Sequence, residues 1–302
     1  MQDKIDFVII WVDGNDVEWQ KEKNRYNPNK EDDFRNIRYR DWDNLKYLFR
    51  GIEKFAPWVN RVHLVTWGHL PSWLNTDNPK LHIVNHKDYI PEKYLPTFSA
   101  NPIEVNLHRI PELSEQFVFF NDDMFITQKV KPTDFFKNGL PCDSLIENPI
   151  LPSGNDIIDY ILLNDMEIIN KYFKKNEIIK KHFFKIFNIK YGLYLIKTIS
   201  LLQWKNFTGL RYSHLPSSIL KSTMESAWKN ENEILDKTSK HKFRSKEDVN
   251  QYLFTNWQMA SGKFKPRKCS IGKFYLISDN NKNIVSAIEK QKYKLICLND
   301  RN

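Results

Sequence analysis

Short apolar runs alternate with helical patterns along the first 130 residues of the chain. Four runs are rich in β-branched and aromatic side chains and are typical of buried strands; they lie at residues 6–12, 62–66, 81–84 and 117–120. Apolar positions recur at helical spacing over residues 42–55, and a further helix is predicted over 102–110. Between the first strand and the first helix, residues 18–38 are polar and are expected to form a loop. This alternation predicts an α/β fold with a doubly wound, mostly parallel sheet.

The second half of the chain has a different pattern. Residues 150–240 are expected to be largely helical, and the sheet is expected to resume at residues 274–277. No flexible, low-complexity linker separates the two halves. The predicted organisation is therefore an α/β core over 1–150, a helical and basic insertion over 151–240, and a part returning to the core over 241–302.

Two of the predicted strands run directly into short acidic turns that contain amides. The first strand ends at Asp13-Gly14-Asn15-Asp16, and the fourth ends at Asn121-Asp122-Asp123. Open α/β sheets bind ligands at the carboxyl ends of their strands, so carboxylates from both turns could converge on one hard cation. Two adjacent acids at a strand end are also costly unless a cation or an arginine offsets their charge. The pattern predicts a metal and nucleotide site, although Asp, Asn and Gly also form turns for purely local reasons.

Composition places the chain among folded, soluble proteins. Of its 302 residues, 41% are hydrophobic, 14% aromatic and 27% charged. No apolar run approaches the ~18 residues of a membrane-spanning helix, and the amino terminus lacks a signal-peptide pattern, so a cytoplasmic location is expected. Cys142, Cys269 and Cys297 are widely spaced and include no Cys-x-x-Cys. We therefore expect ordinary buried thiols rather than disulfides or a zinc site.

The net charge of +9 is unevenly distributed along the chain. Residues 171–190 contain seven lysines and one acid, interleaved with aromatic and aliphatic side chains in a pattern that predicts helix. Such a segment fits a surface that lies on anionic lipid. It equally fits a helical hairpin that packs its aromatics on the core and leaves its lysines in water. Nucleic-acid binding is not expected, because no known nucleic-acid motif is present.

Several segments resemble the signature blocks of one known family, the Stealth proteins. Residues 6–16, 40–58, 95–99 and 108–123 are similar to the first two blocks, and His214-Leu215-Pro216 resembles the third. Phe243-Arg244-Ser245, which leads into a predicted helix over 247–261, resembles the fourth. Stealth proteins are bacterial capsular and cell-surface polysaccharide sugar-1-phosphate transferases, related to the catalytic subunit of the lysosomal-enzyme N-acetylglucosamine-1-phosphotransferase. The resemblance covers about residues 6–262.

This resemblance implies an activity and a fold. A hexose 1-phosphate or N-acetylhexosamine 1-phosphate would pass from a UDP-sugar to a hydroxyl of a glycan or a lipid-linked oligosaccharide, forming a phosphodiester and releasing UMP. The implied fold is Rossmann-like or glycosyltransferase-A-like, with the basic insertion facing the acceptor or the membrane. Phosphoryl transfer requires in-line positioning, cations on the phosphate oxygens and a base for the incoming hydroxyl. The expected location is cytoplasmic, at the inner face of the cell membrane.

The resemblance also implies roles for individual residues. Magnesium or manganese is expected at Asn121, Asp122 and Asp123, with Asp13 as a further ligand. The nucleotide-sugar is expected to contact Asp13, Gly14, Asn15, Asp16, Arg50 and Ser99. Arginines suit phosphate oxygens; the candidates are Arg50, Arg109 and Arg244. The general base is expected among His108, His214 and Asp13.

Two other functions remain compatible with the residues. A metal-dependent glycosyltransferase would use the same sheet and acidic turn but would break the bond between sugar and phosphate and release UDP. A non-enzymatic, membrane-docked assembly module would be built around the basic segment 171–190. Glu104, one helical turn before His108, would either orient that histidine or form an ordinary i,i+4 pair.

Overall fold

The computed structural model describes residues 4–26, 39, 42–152 and 156–300. Its strands are β1 (Ile5–Ile10), β2 (Val62–Thr66), β3 (Leu81–Asn85), β4 (Gln116–Asn121), β5 (Met124–Ile126), β6 (Phe136–Lys137), β7 (Leu140–Asp143), β8 (Ser217–Leu220), β9 (Lys265–Pro266), β10 (Gly272–Leu276) and β11 (Leu295–Asn299). Its helices are α1 (Val17–Tyr26), α2 (Leu45–Phe55), α3 (His86–Tyr89), α4 (Ala100–Val105), α5 (Pro132–Phe135), α6 (Ile158–Tyr172), α7 (Lys175–Ile186), α8 (Leu195–Ser200), α9 (Lys221–Asn230), α10 (Asn232–Lys240), α11 (Tyr252–Ala260) and α12 (Lys282–Glu289).

The central sheet has five strands in the order β3-β2-β1-β4-β8. The first four are parallel, and β8 pairs antiparallel with β4. The predicted mostly parallel α/β sheet is therefore confirmed. A second sheet has the order β10-β11-β5, and a third has the order β6-β7-β9.

Both faces of the central sheet are buried, as a doubly wound fold requires. Along β1, Phe7 and Ile9 belong to one apolar cluster and Val8 to the other. Along β4, Val118 and Phe119 divide in the same way, because successive side chains of a strand point to opposite faces. Helix α2 packs on the first cluster with β5 and β11, whereas α6, α9 and α11 pack on the second. This double burial explains why these strands are near-continuous apolar runs.

Two predictions about elements were wrong, those for residues 17–26 and for the sheet that contains residues 274–277, and two others are refined by the structure. Residues 17–26 form helix α1 rather than a loop, while residues 27–38 lie outside the described part of the chain. The region 150–240 is largely helical, yet it contains β8, a strand of the central sheet. The strand predicted at 274–277 exists as β10, but it belongs to the second sheet. The helix predicted over 102–110 is α4 followed by a 3-10 turn at Leu107–Arg109.

The basic segment 171–190 is not one helix. It spans the end of α6, helix α7, and the start of a 3-10 stretch at Ile189–Tyr194. Ile178 and Ile186 are buried, so the first part of the segment packs on the core as a helical hairpin would. Across the described residues, no helix combines the length and the hydropathy that crossing a bilayer demands. The boundaries at 150 and 240 stay a prediction.

A buried ion pair holds α7 to the body of the protein. Lys175 Nζ lies 2.9 Å from the carboxylate of Glu147, and both side chains are almost fully buried. The same ammonium donates to the carbonyl oxygen of Leu201 at 2.6 Å. Burial raises the pKa of Glu147, and the hydrogen bond and charge of Lys175 oppose that rise.

We expect Lys175→Met to lower the free energy of unfolding by about 3 kcal/mol, because it leaves a buried carboxylate without its partner. The double variant Lys175→Met/Glu147→Gln is expected to lose less than the sum of its two single variants. Lys174→Met is the matched control, since Lys174 pairs with Glu177 on the surface, where such pairs contribute about 0–1 kcal/mol. Urea unfolding measures the wild type, the single variants Lys175→Met, Glu147→Gln and Lys174→Met, and the double variant. Equal losses for the Lys175 and Lys174 variants would contradict this role of the pair.

Candidate active site

The two acidic turns leave the same edge of the central sheet. Strands β1 and β4 are parallel neighbours with Ile10 opposite Asn121, so the residues that follow each strand emerge side by side. Trp11 and Val12, which lie between β1 and the first turn, line a single cavity of about 1260 Å³ together with Asn121, Asp122 and Asp123 of the second turn. The predicted position of the site at the carboxyl ends of the strands agrees with this geometry.

Asp123 is the most highly connected side chain of the cavity wall. Its Oδ2 lies 3.3 Å from His214 Nε2, 3.2 Å from Cys297 Sγ and 3.1 Å from Asn299 Nδ2. Its Oδ1 is buried and has no hydrogen-bond partner among the described residues. A buried carboxylate oxygen without a partner is costly, so Oδ1 suits a ligand that supplies positive charge or a donor. Asp123 therefore fits the expected divalent cation.

His214 connects Asp123 to helix α11. Its Nδ1 lies 3.2 Å from the Tyr252 hydroxyl, and its backbone has a φ of 45°, which places the ring at the bend before Leu215 and Pro216. Burial alone would lower the pKa of His214, but the hydrogen bond and charge of Asp123 outweigh burial and raise that pKa. Burial alone would raise the pKa of Asp123, and the contact with His214 reverses this effect and lowers it. Each group thus stabilises the charged form of the other.

Glu104 also lines the cavity, from helix α4. It is buried and accepts a hydrogen bond from the backbone N–H of Gln251 at 3.2 Å. Burial raises the pKa of Glu104 to about 7, and the charges of Arg244 and His214 partly offset the rise. The sequence predicts an interaction of Glu104 with His108, whereas in the structure Glu104 lines the cavity. Its position on the buried face of a short helix was the available signal.

Arg244 and Ser99 lie where the sequence predicts. Both line the same cavity as Asp123. Ser99 caps α4 by accepting a hydrogen bond from the backbone N–H of Asn101 at 3.3 Å, so its capping role and its place at the cavity are compatible. Arg244 lies close enough to Glu104 and His214 to affect the pKa of both.

Three other predicted residues do not reach the cavity. Arg50 is exposed on α2, with its guanidinium 5.5 Å from the ring of Tyr47. His108 is buried against Trp228, and burial together with the charge of Arg109 lowers its pKa to about 3. Arg109 is exposed and lies over the same Trp228 ring at 4.7 Å. These positions give no support to the expectation that the three side chains contact donor phosphate or accept a proton, which stays a prediction. The helix and 3-10 turn over 100–109 place Glu104 at the cavity, and His108 and Arg109 away from it.

The turn after β1 is occupied with local contacts. Asp13 Oδ1 accepts the N–H of Asn15 at 2.8 Å, and its own N–H donates to His69 Nε2 at 2.7 Å. Asp16 Oδ1 accepts the N–H of Trp19 at 2.7 Å and so caps α1. These contacts are the local side-chain to backbone hydrogen bonds that Asp and Asn commonly make in turns.

Gly14 in the same turn is required for a steric reason. A Cβ at this position would lie 1.8 Å from the carbonyl oxygen of Tyr39. Gly14, like Asp13, Asn15 and Asp16, lies beside the cavity rather than on its wall. The expectation that these four residues contact the nucleotide stays a prediction.

The cluster at Asp123 differs from the predicted metal set. Among the described residues, Asp123, His214 and Cys297 form the group of three whose potential ligand atoms lie within 4.8 Å of one another. Asp13 and Asp122 are not in this group, so the expected trio of carboxylates from both turns is not assembled. Cys297 and Asn299 were missed because β11 reaches the site only through the second sheet. Cys297 is the buried free thiol that the sequence predicts: burial and the charge of Asp123 raise its pKa, so it stays a thiol that donates to Asp123.

The raised pKa of Glu104 predicts a pH dependence of stability. Between about pH 4.5 and 7 the folded protein binds a proton at Glu104 that the unfolded chain releases, so this residue's contribution to stability falls as pH rises through that window, by about 3 kcal/mol in total. We expect Glu104→Gln to remove this contribution. Urea unfolding of both proteins from pH 4.5 to 7.5 measures it as the difference between the two stability curves. A difference that does not change with pH would contradict the burial of an ionisable group here.

Comparisons with known proteins show the family of the chain. Residues 3–31 and 38–142 match conserved regions 1 and 2 of the Stealth proteins. The chain is 46% identical to the capsular polysaccharide phosphotransferase WcwK of Streptococcus pneumoniae, over 99% of this chain and 90% of that protein. It is 44% identical to the receptor polysaccharide phosphotransferase WefC of Streptococcus oralis, over 98% of this chain and 90% of that protein.

One further relative and one solved structure are also similar to this chain. The exopolysaccharide phosphotransferase cps2G of Lactiplantibacillus plantarum is 40% identical over 99% of this chain and 88% of its own length. The crystal structure of the galactosyltransferase LgtC aligns with 8% identity and a TM-score of 0.37, over 97% of this chain and 86% of that one. The identity of 40–46% to these three relatives extends over 98–99% of this chain and 88–90% of each of them. The chain therefore belongs to the Stealth family, and it is an enzyme, a sugar-phosphate transferase.

Proposed function

We propose that this enzyme transfers a hexose 1-phosphate or N-acetylhexosamine 1-phosphate from a UDP-sugar to a glycan hydroxyl in bacterial capsule or cell-surface polysaccharide synthesis. The observation that carries the proposal is the hydrogen-bonded pair of Asp123 and His214 on the cavity wall. In a chain whose relatives are polysaccharide phosphotransferases, this pair supplies an acid–base group next to a carboxylate oxygen that lacks a partner. The proposed location is the cytoplasmic side of the cell membrane.

The reaction forms one bond and breaks one. The acceptor oxygen attacks the β-phosphorus, and the bond from that phosphorus to the oxygen bridging to the α-phosphate breaks. UMP leaves with the bridging oxygen, and the bond from the sugar C1 to its oxygen stays intact. The proton of the acceptor hydroxyl passes to His214, whose contact with Asp123 stabilises the imidazolium that forms. His108 takes no part because it is buried away from the cavity.

The remaining residues bind and orient the donor. Arg244 fits a phosphate oxygen, because its guanidinium is permanently charged and lines the same cavity. Ser99 and the aromatic side chains of Trp11, Trp19 and Tyr39 line the side of the cavity next to the first turn, and we assign the nucleotide to that side. Magnesium or manganese at Asp123, with Asn121 and Asp122 beside it, would neutralise the charge on the diphosphate oxygens.

The identity of the released nucleotide tests the proposed reaction. Purified enzyme with a panel of UDP-sugars, an acceptor glycan and magnesium is expected to release UMP, separated from UDP by ion-exchange chromatography. Release of UDP would support the metal-dependent glycosyltransferase instead. Absence of either nucleotide with every donor, together with unimpaired capsule assembly by Asp123→Asn cells, would support a non-enzymatic module.

Two active-site variants and one control variant test the residue assignments. Arg244→Gln and His214→Gln are each expected to lower kcat/KM for UMP release by about 10²–10⁴-fold, the usual range for losing a positioned acid–base or charge-stabilising group. Arg109→Gln is the matched control, because Arg109 is exposed and lies outside the cavity, and it is expected to keep near-full activity. Thermal unfolding confirms that each variant is folded. Equal losses for Arg109→Gln and Arg244→Gln would contradict the placement of the site.

A further inference from the structure

Exposed apolar side chains are concentrated in residues 183–204, which we call the docking segment. Of the 21 large apolar side chains that are exposed in the described part of the chain, nine lie in these 22 residues. The six most exposed, each more than half accessible, are Phe184, Ile189, Leu193, Ile196, Ile199 and Trp204. Soluble proteins rarely leave so many large apolar groups together in water, and such patches mark interaction surfaces.

The apolar groups of α8 and its flanks form a row. Ile196 and Ile199 lie three residues apart in α8 and therefore share one face of that helix, and Leu193 lies two residues before its start. On the other face, Thr198 is buried and its hydroxyl accepts the backbone N–H of Glu147 at 3.1 Å. Because the inward face is fixed to the body of the protein, the row must face outward.

The docking segment is held in place at both ends. The Tyr191 hydroxyl donates to the carbonyl oxygen of Lys185 at 2.7 Å, which folds the 3-10 stretch back onto α7. The buried Lys175 ammonium donates to the carbonyl oxygen of Leu201, which fixes the end of α8 beside the start of α7. The exposed apolar groups are therefore presented by an ordered surface.

The charge around this surface has one sign. Residues 178–206 contain six lysines and no Asp or Glu; the lysines are Lys180, Lys181, Lys185, Lys190, Lys197 and Lys205. Within the described residues, none of the six forms an ion pair with a carboxylate. By contrast, Lys171, Lys174 and Lys175, just before this stretch, each pair with a glutamate. The sequence had placed the membrane surface at 171–190, and the structure moves the unneutralised charge towards the docking segment.

The docking segment borders the active-site cavity. Tyr194, next to Leu193, lines the cavity, and the guanidinium of Arg211 lies 4.5 Å from its ring and lines the cavity too. A partner that covers the apolar row would therefore lie next to the part of the cavity that Tyr194 and Arg211 line.

We propose that residues 183–204 dock on an anionic lipid bilayer, with the apolar row in the interfacial region and the lysines among acidic headgroups. Apolar groups together with lysines that form no ion pair with a carboxylate match the chemistry of such a surface. A second copy of the chain would bring the same six lysines against one another, and nucleic acid would gain nothing from the aliphatic row. The surface deepens the proposed function, and rests on it in one respect: the acceptor is a glycan carried on a membrane lipid, delivered at the Tyr194 side of the cavity.

Vesicle sedimentation tests the docking step without any substrate. The full-length protein is expected to pellet with vesicles of equal parts phosphatidylcholine and phosphatidylglycerol, at least about tenfold more tightly than with phosphatidylcholine alone, and to be released by high salt. The triple variant Phe184→Ser/Leu193→Ser/Ile196→Ser is expected to bind at least about tenfold more weakly. Its matched control is Val285→Ser/Ile288→Ser, which removes exposed apolar groups from α12 and is expected to bind like the wild type.

Unfolding midpoints establish that the variants fold. If the triple variant does not fold, the charge variant Lys180→Glu/Lys181→Glu tests the same docking step, and it is also expected to bind the anionic vesicles more weakly. Wild-type protein that ignores anionic vesicles, or a folded triple variant that binds them normally, would overturn the proposal. So would light scattering that shows a wild-type dimer and a monomeric triple variant, because the row would then be covered by a second copy.

Activity separates this proposal from the proposed function. The triple variant is expected to release UMP normally with a water-soluble acceptor glycan and to lose most of its activity with a lipid-linked acceptor in vesicles. No UMP from the wild type with either acceptor would remove the proposed function and leave the binding result standing. Equal activity of variant and wild type on the lipid-linked acceptor would overturn the link between docking and the acceptor.

Discussion

The contacts of Asp123 Oδ2 hold together three distant parts of the chain. This oxygen meets His214 from the bend before β8 and Cys297 and Asn299 from β11, while Asp123 itself follows β4. Three donors on one oxygen stabilise the carboxylate although it is buried. They also fix which oxygen remains free, because Oδ1 has no partner among the described residues. The same contacts raise the pKa of His214, and those from Cys297 and Asn299 connect the second sheet to the end of β4.

The same arrangement explains why the chain needs two sheets. The central sheet brings the ends of β1 and β4 to one edge, as the buried apolar runs require. The second sheet adds β11 antiparallel to β5, with Cys297 opposite Met124, and so places two further side chains against Asp123. The backbone N–H of Leu298 also donates to the carbonyl oxygen of Asp123 at 2.9 Å. The acidic residue is thus held through its main chain and its side chain.

The sequence predicted the elements whose pattern is set by burial on both sides. Strands β1, β2, β3 and β4 are long apolar runs, and α2 has a clear apolar stripe. Helix α1 was missed because Trp19 and Lys23 are its only buried side chains in a polar stretch, so its stability comes from the Asp16 cap and from Trp19 packing on Tyr39 and Phe98. Strand β8 has four residues and runs directly into α9, which leaves no turn signal to mark it. For the site, the acidic turn after β4 pointed to Asp123 and the family resemblance pointed to His214 and Arg244, whereas the contact of Cys297 with Asp123 and the place of Glu104 on the cavity wall depend on tertiary structure. His108 and Arg109 show the reverse, because α4 ends at Val105 and the 3-10 turn that follows places both side chains away from the cavity.

In the proposed mechanism, Asp123 Oδ1 binds the cation, and the cation binds the donor diphosphate. A crystal structure of the enzyme with manganese and an unreactive UDP-sugar analogue, with the metal located by its anomalous scattering, tests this directly. We expect a manganese ion within about 2.6 Å of Asp123 Oδ1. Diphosphate oxygens of the donor are expected in the coordination shell of the metal, with Arg244 beside them. A donor bound in the cavity with no metal at Asp123, or a metal held elsewhere, would contradict it.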